Sequence, residues 1–570
     1  MRNAITFLTL SISSVAFGQF PTDAQETISI NNISAAVRTN GSLFQDDLYA
    51  GFEVPQNSGT HTIYSGSLWI GGLDANGALH MAAATYVQDM AQDYWPGPVS
   101  DSAYYVAADS TWNRLWKVSA QEINSHIWNY WQSTYSIPEA ILNWPAHGDI
   151  SKGQEANLAP FIDANGNGLY EPMQGDYPKI KGDEAVYFIM NDDRLPHTGS
   201  NGEQMRIEVH GMVYGFNCAN SEALFNTLFI DYKIINRSQY SYDDTFIGFF
   251  MDFDIGGYSD DYMACDVNRS SFYAYNGDSL DNPSAGAAGY GTSPPAQSLT
   301  FLKGPLQDSD GVDNSFGISN YESINGFGYG DGVADNERIG MDRFISNLAF
   351  STSEPPIGYY NILRGKTSDG TSLTYGGTGF GGIDTCKFMF PKDSDPYNFG
   401  TWGTPPSYPF SNGWSEENEN NTPMDKRGVG STGPFTFGAG EMQEITIAFT
   451  FAKSDTGNQH SSVALMQQYI DEVRAMYLAD ATPCGNGVFS TLKPLNNEEQ
   501  QNLVLYPNPA SNVLFIKGTS NQELSYEIYD VTGKLVLRGT TNQNAIEVSN
   551  LNSGLYFMNF EGRSHRFIKK

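Results

Sequence analysis

The segment Leu503–Gly518 reads LVLYPNPASNVLFIKG. Ser525–Gly539 (SYEIYDVTGKLVLRG) and Ile546–Phe560 (IEVSNLNSGLYFMNF) follow, and the chain ends in Arg566–Lys570 (RFIKK). Val513 and Phe515, Tyr526 and Ile528, and Leu535 and Leu537 alternate with polar or opposite-face residues, the period of a half-buried strand. Between Asp530 and Lys534, Thr532-Gly533 separates two such runs and signals a hairpin. Asn552-Ser553-Gly554 makes the next turn, before Leu555-Tyr556-Phe557. Pro507 and Pro509 cannot donate to a ladder and belong at the edge of the first strand. Residues 503–570 should therefore form a small antiparallel β-sandwich.

Upstream, the same strand signals recur in His61–Ile70, Ala185–Met190, Ile207–Phe216, Leu224–Asn236, Thr245–Phe253 and Glu444–Ala452. In the last of these Ile445, Ile447, Phe449 and Phe451 alternate with Thr446, Ala448 and Thr450. Two helices interrupt the pattern. Ser119–Trp131 places Ile123, Ile127 and Trp131 four apart, and Ser461–Ala479, capped by Ser461 or Ser462, carries a continuous apolar stripe. The fold class is mainly β: a large β-sandwich-rich body with few helices, plus the small C-terminal sandwich. The body spans 19–483, and the polar stretch 484–502 is expected to be a linker. Gly277–Ser298 and Asp393–Asn420 read as long surface loops.

Arg2, the apolar run Ile5–Phe17 and the small residues Ala16 and Gly18 form a signal peptide over 1–18, with the cut between Gly18 and Gln19. The run is shorter than the about 20 residues a membrane span needs. The net charge is −33, and the tail from Gln501, with seven basic and five acidic residues, holds +2 of it, leaving −35 upstream. So acidic a body excludes nucleic acid as a direct partner, and it favours divalent cations. Four cysteines permit two disulfides, of which Cys218–Cys265 is the expected one because each ends a strand region.

Asp163-Ala-Asn165-Gly-Asn167-Gly168-Leu169-Tyr-Glu171 sets oxygen side chains at alternate positions before a glycine, as a calcium loop requires. Leu169 would supply a carbonyl. Gln174 stands where an acidic twelfth ligand usually lies, so Glu171 or Asp176 must complete the shell. The alternative is an Asx-type turn. Asp252 and Asp254 share one strand face, with Asp260, Asp261 and Asp266 nearby; calcium, or an Arg or Lys from elsewhere, would relieve their repulsion. A paired-carboxylate hydrolase site is the enzymatic alternative. Asp308, Asp310 and Asp313 form a weaker acidic loop. His147 and His197 sit in segments read as solvated loops, and there is no HExxH, GxSxG or phosphate-binding loop. Among possible sugar platforms, Trp95, Trp128, Trp131, Trp402 and Trp414, the pair Trp128 and Trp131 reads as core. Trp402 and Trp414 read as exposed.

YPNP (Tyr506, Pro507, Asn508, Pro509), YDVTGK (with Asp530, Gly533, Lys534), LNSGLY (with Gly554, Tyr556) and the basic end at Lys569 and Lys570 resemble, in order, the type A C-terminal sorting domain of the type IX secretion system. The resemblance implies export through the periplasm, contact with the type IX machinery, removal of the tail, and release or attachment to surface lipopolysaccharide. WPAHGD (144–149), Asp163–Asp183, Asp243–Gly256, Asp260–Asp266, Cys386–Pro396 and Asp425–Glu441 resemble a family of secreted proteins of Bacteroidetes found with such tails. That second resemblance implies no activity. The combined expectation is a calcium-stabilised adhesion or glycan-binding body. The alternative is a secreted hydrolase of polysaccharide or protein.

Overall fold

The computed structural model describes residues 23–570 apart from 47–48, 87–90, 106–110, 318–324, 347–353, 408–412, 485–488, 490–503, 507, 518–523, 531–533, 542–544 and 561–562. The signal-peptide residues, Gly18 and Gln19 among them, lie outside the described residues, as do Pro507, Gly533 and most of the expected linker. The chain divides into two compact units, 1–491 and 492–570.

The larger unit is built on two nine-stranded antiparallel sheets. The first runs, from edge to edge, through Gln25–Ile28, Ser34–Arg38, Ser42–Leu43, His61–Leu73, Tyr242–Phe253, Lys426–Phe437 and Arg343–Ser346. The second runs through Trp116–Ser119, Glu184–Asn191, Ile207–Gly215, Thr227–Asn236, Met442–Ala452, Ala296–Lys303, Ser271–Asn276 and Asp261–Asp266. Aromatic rings meet between the sheets. Phe249 of the first lies 5.8 Å from Tyr232 and 5.7 Å from Phe301 of the second, and Phe253 lies 6.0 Å from Phe272. Each such ring removed from water contributes about 1.5–3 kcal/mol.

The chain changes sheets twice around one residue. Asn236 is fully buried, and its Nδ2 donates to the carbonyls of Tyr240, Phe437 and Gly438, which tie together the 236–242 and 437–442 crossovers. In the 184–191, 207–215, 227–236 meander, Phe188, Gly211 and Tyr232 are cross-strand neighbours. The Phe188 ring fills the place of a side chain on Gly211, where a Cβ would come within 2.2 Å of it.

The alternation in 444–452 describes the strand but not its surroundings. Thr446, Ala448 and Thr450 are as buried as Ile445, Ile447, Phe449 and Phe451. The reason is the helix Gln459–Ala479, which lays Met466, Tyr469, Ile470 and Val473 over the outer face of the second sheet. Its N-cap is Asn458, one turn before the serines expected, with Ser461 returning the hydrogen bond as the capping-box residue. Arg269 anchors it: Nε and Nη2 grip the Asp471 carboxylate at 2.9 and 2.8 Å while Nη1 holds Asp266 at 2.8 Å. The shorter helix is Ala120–Asn129, and Ser119 with Glu122 completes its capping box. Trp131 lies beyond its end.

Two sequence expectations fail at the cysteines and the linker. Cys218 is bonded to Cys484, not to Cys265, which is free and buried beside the equally free Cys386. Strand ends are many in such a fold, so that criterion could not choose the partner. Cys484 and the buried Phe489, packed 4.9 Å from Phe216 and 5.2 Å from Phe229, therefore belong to the body rather than to a linker.

The smaller unit is a sandwich of a three-stranded sheet (Val504–Tyr506, Val513–Lys517, Ala545–Glu547) and a four-stranded one (Leu535–Thr541, Leu524–Asp530, Gly554–Phe560, Arg563–Lys569). Its core is Ala510, Leu514, Ile516, Ile528, Ile546, Val548, Tyr556, Met558 and Phe567. The strand Val513–Lys517 thus faces inward with Leu514 and Ile516, leaving Phe515 39% exposed, the opposite of the alternation expected. Both alternating sets of VLFI are apolar, so periodicity cannot choose between them.

Candidate functional site

Asp252 sits near the end of the 242–253 strand, directly opposite Arg427 on one neighbouring strand and Ser65 on the other. The two-residue period of a strand brings Asp254 to the side of Asp252, and Asp425 to the side of Arg427. Asp252, Asp254 and Asp425 each offer a carboxylate oxygen within 4.8 Å of the others. Among the described residues this is the one group of three or more His, Cys, Asp or Glu so arranged. Arg427 is the cation facing it: Nε lies 3.3 Å from Asp252 Oδ2 and Nη2 donates to Asp425 Oδ2 at 2.8 Å. The Tyr86 hydroxyl donates to Asp252 Oδ2 at 2.7 Å and accepts from Arg427 Nε.

One guanidinium therefore answers three carboxylates. Asp252 is 2% exposed, and its Oδ1 has no hydrogen-bond partner; nor does Asp425 Oδ1. Burial pushes the Asp252 carboxyl up to about 7, against the pull of Arg427 and with a further push from Asp425. Burial raises Asp254 well above the ordinary carboxylate range, and Asp252 and Asp425 raise it further. Such a group gains by taking up a proton or a hard cation, and the free oxygens are of the type that Mg²⁺ or Ca²⁺ binds.

Of the other acids expected in this cluster, Asp266 is used elsewhere, while Asp260 and Asp261 each keep a buried Oδ1 without a hydrogen-bond partner. Asp261 is buried and accepts from Ile255 N–H at 2.9 Å, and Asp266 pairs with Arg269. Asp260 forms a short helical turn with Tyr258 and Ser259. Sequence reading missed Asp425 and Arg427, although the alternating acid and base at 425 and 427 carried the same two-residue signal.

The Asp163 loop closes on its own backbone. Asp163 Oδ1 and Oδ2 accept from Gly166 and Gly168 N–H, Asn165 Oδ1 from Asn167 N–H, and Asn167 Oδ1 from Leu169 N–H. Both oxygens of Asp176 are taken by Ala164 and Glu171 N–H, and Glu171 accepts from the Asn165 and Asn167 amides. These are the Asx-type bonds of the alternative reading. Asp308 and Asp313 likewise cap Thr436, Gly330 and Gly332 backbone groups. Asp310 does the same for Val312.

Neither loop histidine is simply solvated. His147 Nε2 accepts from Tyr170 N–H. His197 is 5% exposed, with Nδ1 2.8 Å from Met81 O and Nε2 2.9 Å from Asp192 O. Two carbonyl acceptors demand two ring protons, so this histidine is an imidazolium between Asp93 and Asp192. Burial works against that charge, but the two aspartates outweigh it and raise its pKa. The aromatic expectation holds at Trp402 and reverses at Trp128, Trp131 and Trp414. Trp128 and Trp131 are 50% and 64% exposed, Trp402 is 39% exposed, and Trp414 and Trp95 are buried. The short helix ends at Asn129, so Trp131 escapes the packing its stripe implied, while Trp128 lies within the helix, one residue from its end.

In the tail, motifs from opposite ends of the domain meet. Asn508 of YPNP accepts from Ile568 N–H at 2.9 Å, Ala510 N–H donates to Ile568 O, and Lys570 N–H donates to Ala510 O. Tyr506 pairs with Phe515 in the three-stranded sheet. Asp530 and Lys534 close the hairpin, and Tyr556 donates to Asn552 O across the turn before Gly554. Lys569 is buried and Lys570 exposed.

Comparison with known proteins separates the two units. No curated protein sequence matches the chain. A solved polysaccharide lyase is similar over 73% of this chain at 7% identity and a TM-score of 0.18, a likeness too slight to carry an argument; the match spans 37% of that structure's length. Residues 504–570 match the family described as the secretion system C-terminal sorting domain. With the YPNP and terminal basic motifs joined in one sandwich, the tail is a type IX sorting domain, and the protein is exported to the cell surface or beyond it.

Proposed function

We propose that the body is a divalent-cation-stabilised binding module, displayed or released outside the cell, whose ligand is a glycan. The observation that carries the cation is the convergence of Asp252, Asp254 and Asp425 within 4.8 Å of one another, with Oδ1 of Asp252 and of Asp425 buried and unpaired. Calcium suits the oxygen-only donor set, with water or backbone oxygens completing six to eight ligands. Asp163, Asn165, Asn167, the Leu169 carbonyl, Glu171 and Asp176 are a second oxygen-rich place for the same ion. Export by the type IX machinery supports an extracellular ligand, and the exposed indoles of Trp128 and Trp131 support a sugar-binding face. Removal of the tail and attachment of the body to surface lipopolysaccharide fit this reading.

The second reading is a secreted hydrolase, favoured by an Asp252 carboxyl near neutral pKa beside a second carboxylate. A glycan array combined with a turnover panel separates the two. Binding without turnover, weakened at least tenfold in Trp131→Ala, is expected. Turnover abolished by Asp252→Asn in a protein that melts normally would replace the binding reading with the catalytic one.

A further inference from the structure

The outer face of the second sheet holds a cavity of about 290 Å³, near the lower end of the roughly 300–1,000 Å³ of small-molecule sites. It is lined by none of the carboxylates of the acidic centre. In a chain of net charge −33 its walls carry three lysines, Lys181, Lys233 and Lys303, against Asp231 and Glu444. Lys181 is paired with Asp231, and Lys303 is bonded to Glu444 at 2.5 Å. Lys233 is left over. Its direct cross-strand neighbours are His210 and Glu444, and both are engaged elsewhere, so its ammonium has no hydrogen-bond or ion-pair partner among the described residues.

The same wall carries an ordered proton chain. Arg237 Nη2 donates to Glu208 Oε1 at 2.7 Å, His210 Nε2 lies 2.9 Å from that oxygen, and His210 Nδ1 lies 2.6 Å from the Tyr187 hydroxyl. Burial alone would raise the Glu208 carboxyl, but His210 and Arg237 pull it down to about 2, so it is ionised and takes the Nε2 proton. Burial lowers the His210 pKa against the pull of Glu208, which favours the neutral ring. Nδ1 then accepts the Tyr187 proton, leaving the Tyr187 oxygen as an acceptor oriented by buried His210, which buried Glu208 holds in turn.

An unpaired ammonium and a fixed hydroxyl acceptor in one small, partly apolar cavity select a ligand with an anionic group and a hydroxyl donor. We propose that this cavity binds a single acidic sugar residue, its carboxylate on Lys233 and a ring hydroxyl on Tyr187. The idea takes its ligand class from the glycan-binding reading, but it concerns a different surface from Trp128 and Trp131.

Calorimetric titration of the purified protein with glucuronate, galacturonate and mannuronate, with acetate and glucose as controls, tests it. Millimolar or tighter binding of at least one uronate is expected, with tenfold or greater loss in Lys233→Met, which removes the ammonium and keeps most of the partly buried stem, an unchanged melt showing that the variant folds. Tyr187→Phe should weaken the uronate and leave the weak acetate signal unchanged. The proposal is overturned if no uronate binds, if acetate or glucose binds as well as the uronates, or if Lys233→Met leaves the affinity unaltered. Uronate binding that survives Trp131→Ala while array binding is lost would separate the two surfaces.

Discussion

Asp252 and Arg427 stand directly opposite each other on adjacent antiparallel strands, 3.3 Å apart at Oδ2 and Nε, and Arg427 also serves Asp425. Replacing it by methionine keeps the stem and removes the charge. Breaking such a pair leaves a buried carboxylate unpaired, so Arg427→Met should cost about 3 kcal/mol, read as a lower urea midpoint in chelator. Millimolar calcium should recover part of that loss.

The acidic centre also makes stability depend on pH. Asp252 has a folded pKa of about 7 and Asp254 is raised as well, so the folded state holds protons that the unfolded chain loses near pH 4. Their contribution is most favourable below about pH 4 and is lost as pH rises through 7. Metal-free protein should therefore gain stability between pH 8 and pH 6, and Asp254→Asn should flatten that slope. His197, whose folded pKa is raised, acts in the same direction above pH 6.5. A slope surviving Asp254→Asn but absent in His197→Asn would assign the effect to the histidine.

Cys484 closes a loop back to Cys218, 266 residues away, and holds the segment that carries Phe489. Closing a loop of that length costs the unfolded chain about 5–6 kcal/mol of entropy in the chain model. Cys484→Ser should lower stability by a few kcal/mol and open the region after Ala479 to protease. Identical digestion patterns with and without reductant would contradict this.

Deleting residues 503–570 should leave the body folded in the periplasm, because the two units have separate cores. Fractionation reads the outcome, and undiminished surface display would remove the sorting role.

Much of this was legible in the sequence where a pattern had one solution. The strands at 184–191, 207–215 and 442–452 and both capped helices followed from periodicity. Asp252 and Asp254 shared a face because strands alternate. Patterns with more than one solution did not decide: VLFI at 513–516 is apolar on either face, and Cys218 had three possible partners. The remainder depended on long-range geometry. Asp425 reaches Asp252 only through the pairing of strands far apart in the chain. Trp131 is exposed because the helix stops at Asn129, and the second aspartate beside His197, Asp93, comes from a distant segment. No local window contains those facts.

The most direct measurement is a thermal melt of the purified protein in excess chelator and in calcium at pH 8, alongside Asp254→Asn. At a calcium concentration about a hundredfold above Kd, linkage supplies roughly 2.7 kcal/mol, a rise of about 3 °C for a body of this size. The expected result is that rise in the wild type and little or none in the variant. Superimposable wild-type melts with and without calcium would contradict a cation site at Asp252, Asp254 and Asp425.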